Sequence, residues 1–428
     1  MTRHSKYVSA REVMRLLDIR RQTLYAYVSR GWISSVAQPG RKDRLYSRED
    51  VERVLSRSRA RSGHGPVAAA AMNWGEPIIT SQITQLTPEG PLYRLRSALD
   101  LAMEGADYEN VAEFLWTGAW TSTPVRWPMT SVPRAVGELT TTRLRSNDEL
   151  LELFALVAVK LGMAAGTSTS NAVDTDGLLA SGRALLQVMT GCFGCIAQGR
   201  AFSPVKRGES IVDALFRILD IEDTVENRRG LGAILVLFAD HELSPGALAA
   251  RVAAASGGTL HNCIAAAISA ASGTLHARMY TSVEAVLTSA RTTDGLLARV
   301  ADMQQAGRAI PGFGRHSVYR NGDPRAQLLL DIARERSHQN PRLRTMIAFV
   351  EQTQRLNLHP RHELAVIALT DAMKLPAHIA GPLFVLARTA GWIAHVVEQK
   401  AARMELRPRA KPSPAGEDEP DGGPPTQD

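Results

Sequence analysis

Residues 383–399 read LFVLARTAGWIAHVVEQ, and Leu383, Leu386, Trp392 and Val396 fall on the three-to-four-residue period of one helix face. The same period runs through most of residues 74–407. Alanine dominates there, alternating β-branched runs are nearly absent, and Gly and Pro punctuate segments of helical length, as in LSPGAL (243–248), IPGFG (310–314) and KLPAH (374–378). This spacing predicts an all-α body of well over ten helices, with no repeat of fixed period.

Working outward, charge separates the rest of the chain from this body. Of the 428 residues, 1–65 carry fifteen Lys/Arg against six Asp/Glu, and the residues from 408 onward carry two against five. The net +7 therefore belongs to a small basic module on a near-neutral body, which excludes a diffusely basic protein. The predicted organisation is a basic module over 1–62, a Gly/Pro-punctuated linker over 63–73, the body over 74–407 and a disordered acidic tail over 408–428.

Other classes fall away. The start, MTRHSKYVSA, shows no apolar run after its basic residues, so no secretory signal is read. Residues 252–277 lack Asp, Glu, Lys and Arg, but Ser256, Gly257, Gly258, Thr259, His261 and Asn262 interrupt them, which favours a buried helix pair over a membrane span. Three cysteines make no disulfide framework and fit a reducing, cytoplasmic setting. Cys192 and Cys195 form a lone C-x-x-C, read as small buried helix residues rather than a metal or redox pair.

In the basic module, Ser9 and Glu12 fit a capping box, and the helix they open runs through Val13, Leu16 and Leu17. A turn at Asp18-Ile19 leads to a second helix over 21–29 that Gly31 ends. The basic turn QPGRKDR (38–44), the return through Leu45-Tyr46 and a helix capped by Ser47 follow. This order resembles the excisionase/MerR-type winged helix-turn-helix domain. The resemblance implies DNA as a partner, with Arg20, Arg21, Gln22 and Tyr25 in the major groove and Arg41, Lys42 and Arg44 on phosphate. The plainer reading is an accessory helical domain with a solvated charged face.

Single histidines in the body are weak evidence, but their contexts form an ordered set: DHE at 240–242, SGTLHA at 272–277, PGFGRHSVYRNGDPRA at 311–326, then Arg388 and Arg407. Upstream lies GPLYRLRSALDLAMEGADYENVAEFLWTG (90–118). These strings, in this order, resemble the citrate synthase family over most of the body. The resemblance implies a two-domain helical fold, with a large subdomain over about 74–270 and 365–407 and a small one over about 271–364. It also implies a homodimer.

The implied reaction condenses an acyl-CoA, acetyl or propionyl, with an oxo acid such as oxaloacetate, and needs no tightly bound cofactor. It needs a base for a weakly acidic methyl proton and a donor on the thioester oxygen. A second donor polarises the ketone, and arginines clamp its carboxylates. By resemblance, His276 serves the enol and His316 the ketone. His241, Arg325, Arg388 and a partner subunit's Arg407 hold the oxo acid, and Arg320 meets coenzyme A phosphate.

Three departures touch that site. The family's Asp base stands thirteen residues before a Leu-Pro proline, and counting back from Pro376 gives Glu363. Its extra methylene moves the carboxylate by roughly 1 Å, a displacement that can cost about 100-fold. Ala277 and Arg278 stand where the family has glycines that let the coenzyme approach closely, and Arg315 is inserted before His316. Either the activity is weakened or the substrate differs. The alternative is a regulator that binds acyl-CoA or a di- or tricarboxylate and reports it to DNA.

Overall fold

A computed structural model describes residues 7–17, 19–29, 32–37, 44–48, 50–51, 54, 79–139, 144–165, 174–197, 200–314, 316, 318–319 and 322–406. The expected linker, the acidic tail, and Arg41, Lys42, Arg315, Arg320 and Arg407 lie outside these residues. The chain divides into two compact units, 1–80 and 81–428.

In the first unit, β1 (Tyr7–Ser9) leads directly into α1 (Ala10–Leu17), and α2 (Arg21–Ser29) follows. β2 (Ser35–Ala37) and β3 (Arg44–Ser47) then pair antiparallel, and β3 also pairs with β1, giving the order β1-β3-β2. Val8, Val13, Leu17, Leu24, Ile33, Tyr46, Val51 and Val54 make its core. Ser9 Oγ accepts the Glu12 amide at 3.3 Å, but the expected capping box is only half formed. The Glu12 carboxylate instead takes Arg48, at 3.0 Å. A cross-element ion pair has replaced a local backbone hydrogen bond. Ser47 Oγ accepts the Asp50 amide, as a cap should.

The second unit is built from α3 (Ala98–Met103), α4 (Tyr108–Thr117), α5 (Arg134–Leu139), α6 (Leu150–Ala165), α7 (Thr175–Cys192), α8 (Ile211–Ile218), α9 (Val225–Leu237), α10 (Pro245–Ala255), α11 (Leu260–Ala271), α12 (Met279–Thr288), α13 (Thr293–Gln305), α14 (Pro324–Glu335), α15 (Pro341–Arg355), α16 (His362–Ala372) and α17 (Ala380–Ala402). The charge-free stretch 252–277 is the packed pair α10 and α11, as its composition predicts. The centre is α17, which packs against α4, α7, α9, α10 and α11. Tyr108 and Trp116 of α4 donate to its Ala387 and Ala390 carbonyls, at 2.9 and 2.8 Å. Helices α7 and α17 are long and apolar enough to cross a membrane, yet most of each is buried in this core. Cys192 and Cys195 are buried, and burial pushes both thiols up.

One element escapes the all-helical reading of the body. β4 (Thr84–Thr87), β5 (Gly90–Tyr93) and β6 (Arg96–Ser97) form an antiparallel meander. It has a positioning role: the buried Tyr93 hydroxyl lies 3.0 Å from the Val236 and Leu237 carbonyl oxygens and accepts the Asp240 amide at 3.3 Å. A β5 side chain thus pins the turn after α9.

Glu109 of α4 is buried, and its Oε1 accepts the Ile211 amide at the start of α8 at 2.5 Å, while Oε2 has no partner. Burial outweighs the backbone donors and pushes its carboxyl up to about 7. Folded affinity for the proton thus exceeds the unfolded, so this group favours folding only at low pH. The contribution is lost as pH rises from about 4 to 7, leaving a cost of about 3 kcal/mol above that. Glu109→Gln is therefore expected to raise the thermal midpoint at pH 8 and leave it unchanged near pH 4, a contrast scanning calorimetry resolves.

Candidate active site

The turn after α9 carries Phe238, Asp240 and His241. It lies against α17, where Gly391 is obligatory: a Cβ there would stand 2.2 Å from Asp240 Oδ1 and 2.5 Å from the Ala239 carbonyl oxygen. The Gly391 amide donates to that carbonyl at 2.8 Å. His241 Nε2 is 3.0 Å from the Tyr319 hydroxyl, and its ring meets that of His316 edge-on at 5.3 Å. His316 stacks on Tyr319 at 4.4 Å. The Val318 amide donates to His316 Nδ1 at 3.2 Å, so the neutral ring carries its proton on Nε2 and presents a donor there.

Two arginines are buried beside these rings. Asp323 caps α14 and takes Arg325 in a fork, Nε at 3.0 Å and one Nη at 2.7 Å; the other Nη is buried without a partner. Burial pushes the Asp323 carboxyl up, but the guanidinium outweighs it and holds the group down at about 2. Arg388, on α17, donates Nε to the Phe238 carbonyl at 2.9 Å and lies 5.0 Å over the Phe384 ring. Among the described residues no carboxylate pairs with it. Burial, with Arg325 nearby, lowers its proton affinity although Asp240 acts the other way.

Glu363 sits in the first turn of α16 and is 1% exposed. Arg361 approaches its Oε1 at 3.0 Å, while Oε2 is buried with no hydrogen-bond partner. Burial pushes this carboxyl up, against the pull of Arg361. His362 is enclosed by Phe238, Tyr280 and Phe384, and its Nδ1 lies 3.1 Å from the Tyr280 hydroxyl. His276 lies in the turn between α11 and α12. Burial lowers it first, and the charges of Arg388 and Arg361 reach it. His241 and His316 are also held below the ordinary range, by burial and then Arg325. All three imidazoles are therefore neutral at pH 7, able to donate without carrying charge.

Behind the first ring of residues runs a second, whose centre, Asp240, His395 and Arg251, is buried. His395 of α17 lies 3.3 Å from Asp240, its Nδ1 accepts from Arg251 Nε at 2.9 Å, and Arg251 pairs with Glu398. Glu398 accepts the Gln82 amide at 2.8 Å, and Arg251 donates to Ser81 Oγ at 3.2 Å.

The structure thus brings His241, His316, Arg325 and Arg388 together, with His276 and Glu363 close enough to share their field. Sequence reasoning passed over Tyr319, Arg361, His362 and Tyr280. Tyr319, Arg361 and His362 stood within three residues of chosen positions, so proximity was the available signal. Arg278, expected to crowd the coenzyme, is turned to the start of α6, where it pairs with Glu152 and, in the turn just before that helix, Asp148. A cavity of about 440 Å³ opens beside Asp323, lined also by Gln327, Gln354, His359 and Pro360, but none of His241, His276, His316 or Arg388 lines it. Converging donors and charges, not that cavity, define the site. No three His, Cys, Asp or Glu are grouped to hold a metal ion among the described residues.

In the first unit Arg20, Arg21, Gln22 and Tyr25 are all exposed around the start of α2. Arg21 Nε donates to the Tyr25 hydroxyl at 2.9 Å, and Arg44 donates to Ser35 Oγ across the strands at 2.9 Å.

The fold and this set of groups define a helical protein built around a buried cluster of arginines and histidines. Residues 72–409 match the citrate synthase C-terminal domain family, and residues 7–59 match a helix-turn-helix domain family. The chain belongs to the citrate synthase family. It is 29% identical over 180 residues to citrate synthase 2 of Bacillus subtilis, covering 41% of this chain and 48% of that protein. To the 2-methylcitrate synthase of Shewanella oneidensis it is 27% identical over 184 residues, 41% of this chain and 48% of the other. The chain thus spans about half the length of the curated relatives it matches. Among solved structures, the Thermoplasma acidophilum citrate synthase, in a ternary complex with carboxymethyl coenzyme A and oxaloacetate, superposes with a TM-score of 0.67 at 19% identity, covering 80% of this chain and 95% of that one. The Thermotoga maritima enzyme gives 0.64 at 22%, covering 81% and 96%.

Proposed function

We propose that the body is a citrate synthase-like acyltransferase joining acetyl- or propionyl-CoA to an oxo acid such as oxaloacetate. The observation that carries this is the pair of buried arginines, each with Nη groups that no protein carboxylate fully occupies, beside three neutral imidazoles. In this reading Arg325, Arg388, His241 and the partner subunit's Arg407 hold the oxo acid, and Arg320 meets the coenzyme. Glu363 takes the α-proton of the thioester while His276 donates to the enol oxygen. The enol carbon then attacks the ketone, whose oxygen takes a proton from His316 Nε2. Water finally cleaves the thioester, releasing the thiol and a tricarboxylate. The segment 271–364 forms the smaller lobe. The cytoplasm is the fitting setting for a chain whose three cysteines make no disulfide framework.

A homodimer fits the exposed stripe of Leu156, Val159 and Met163 along α6, since such a contiguous apolar face favours a partner. The first unit is read as a DNA-binding head, supported by the exposed cluster at the start of α2. In a dimer it would present two heads to two half-sites.

A second reading, a ligand-sensing regulator with little turnover, is favoured by Glu363 standing where the family has the shorter aspartate base and by Ala277 and Arg278 standing where it has glycines. Assays of thiol release from acetyl- and propionyl-CoA with oxaloacetate separate the two. Release by the full chain that His276→Ala abolishes supports the enzyme. No release, with oxaloacetate still raising the thermal midpoint, supports the sensor, and neither effect overturns both. DNA binding is expected to weaken steeply with salt. Arg21→Ala should reduce the slope of log affinity against log salt by about 1 if Arg21 meets phosphate; an unchanged affinity in Arg20→Ala and Arg21→Ala removes α2 from the interface.

A further inference from the structure

We propose that Arg361 is a positioning residue for proton abstraction: its guanidinium holds Glu363 Oε1 and leaves Oε2 as the oxygen available to take a proton. The inference rests on Glu363 being the base, and it adds how that base is oriented and kept charged.

The geometry is specific. Arg361 is the residue before α16, and its amide donates to the Gly312 carbonyl at 2.8 Å. One rung away the Gly314 amide donates to the His359 carbonyl at 3.1 Å, and Phe313 and Pro360 form a β-bridge. The loop that leads into His316 is therefore laced to the segment that leads into Glu363. Arg361 is the side chain at that junction. A Cβ on Gly314 would stand 3.5 Å from its Cδ, so the loop runs against the arginine stem. Its Nη2 then reaches Glu363 Oε1 at 3.0 Å, across a carboxylate that is otherwise sealed from water.

Without a counter-charge, a carboxyl so buried is held neutral and cannot accept a proton. The other groups bearing on it do not supply that charge. His362 Nδ1 is 3.6 Å away but neutral, because burial and then Arg325 lower it. Tyr280, from α12, is likewise neutral. From the turn before α14, Asp323 opposes ionisation, and Arg325 is already committed to Asp323 in a fork. Arg361 is the cation in direct contact, and the same charge helps hold His276 and His316 neutral. One guanidinium therefore favours both the charged form of the base and the uncharged form of the donors. Its side chain is 41% exposed, so replacing it does not hollow the core.

The test follows the Glu363 carboxyl by infrared difference spectroscopy in the full chain. The protonated-carboxyl band is assigned by its loss in Glu363→Gln. In Arg361→Gln the midpoint of that band is expected to move up by at least one pH unit, and in Arg361→Lys to stay near the wild type. Where thiol release is measurable, the rising limb of its pH profile should move with the band, and kcat should fall while KM for oxaloacetate holds. An unmoved band in Arg361→Gln overturns the proposal, whatever the turnover. A moved band with no turnover in any variant upholds it while counting against the enzyme reading.

Discussion

Asp323→Asn is expected to cost about 3–5 kcal/mol of unfolding free energy, because it leaves the Arg325 guanidinium buried without its counter-charge. Arg325 is 2% exposed, and both arms of its fork are spent on Asp323. Asparagine keeps the volume and can accept one hydrogen bond, so packing is preserved and the loss is electrostatic. The sign of the pH dependence follows from the carboxyl held at about 2. Its folded value lies below the unfolded value near 4, so the stabilisation is complete above pH 4 and disappears as pH falls toward 2. Urea titrations should therefore show wild type and variant far apart at pH 7 and converging below pH 4. Replacing both partners, Asp323→Asn with Arg325→Met, should recover part of the loss, since an apolar pair leaves no charge stranded. A single variant as stable as wild type at pH 7 would show that the pair contributes nothing.

Arg388→Leu is expected to act in the opposite sense on stability and to abolish ligand response. Arg388 is 3% exposed and, among the described residues, holds one hydrogen bond, to the Phe238 carbonyl. A buried cation with so few partners is a cost to the unliganded fold, and leucine should relieve about 1–4 kcal/mol of it. Asp240 keeps the Glu242 amide at 3.0 Å and His395 nearby, so its own charge is not abandoned. Oxaloacetate at a hundred times its dissociation constant should stabilise wild type by about 2.7 kcal/mol and the variant not at all. Thermal melts with and without oxaloacetate read both effects at once. A variant that melts lower than wild type, or still answers oxaloacetate, contradicts the assignment of an anion to Arg388.

The helical architecture was legible because its signal is periodic. Residues 383–399 form the core of α17, and the charge-free stretch 252–277 formed α10 and α11. The meander was not, because β4 to β6 are two to four residues long and carry no alternation to detect. Yet Tyr93 on that meander fixes the turn that carries His241. The half-formed capping box failed for a related reason: Ser9 and Glu12 satisfy the local rule, but Arg48, far along the chain, competes for the carboxylate. The same limit applies at the site. Histidines and arginines in ordered strings could be picked out one by one. That Asp323 neutralises Arg325 while Arg388 has no such partner depends on three-dimensional distances. So does the role of Arg361: it stands two residues before Glu363, but only the structure shows that its guanidinium reaches the carboxylate and that one carboxylate oxygen is left without a partner. Arg278 shows the converse, since a residue expected at the coenzyme is tied by Asp148 and Glu152 to another helix.

Glu398 and Arg251 hold Ser81 and Gln82, so the body closes on itself like a buckled strap, its first residues fastened to its last helix. Mechanically, the two ends of a long chain share one anchor, and a pull on either is resisted by the same guanidinium. Topologically, residues 81–402 are already nearly a circle. Joining their ends through a short tether and cutting elsewhere, at an exposed turn such as 289–292, would leave the fastening in place. The wiring of the chain could be permuted while the chamber of arginines and imidazoles stays as it is.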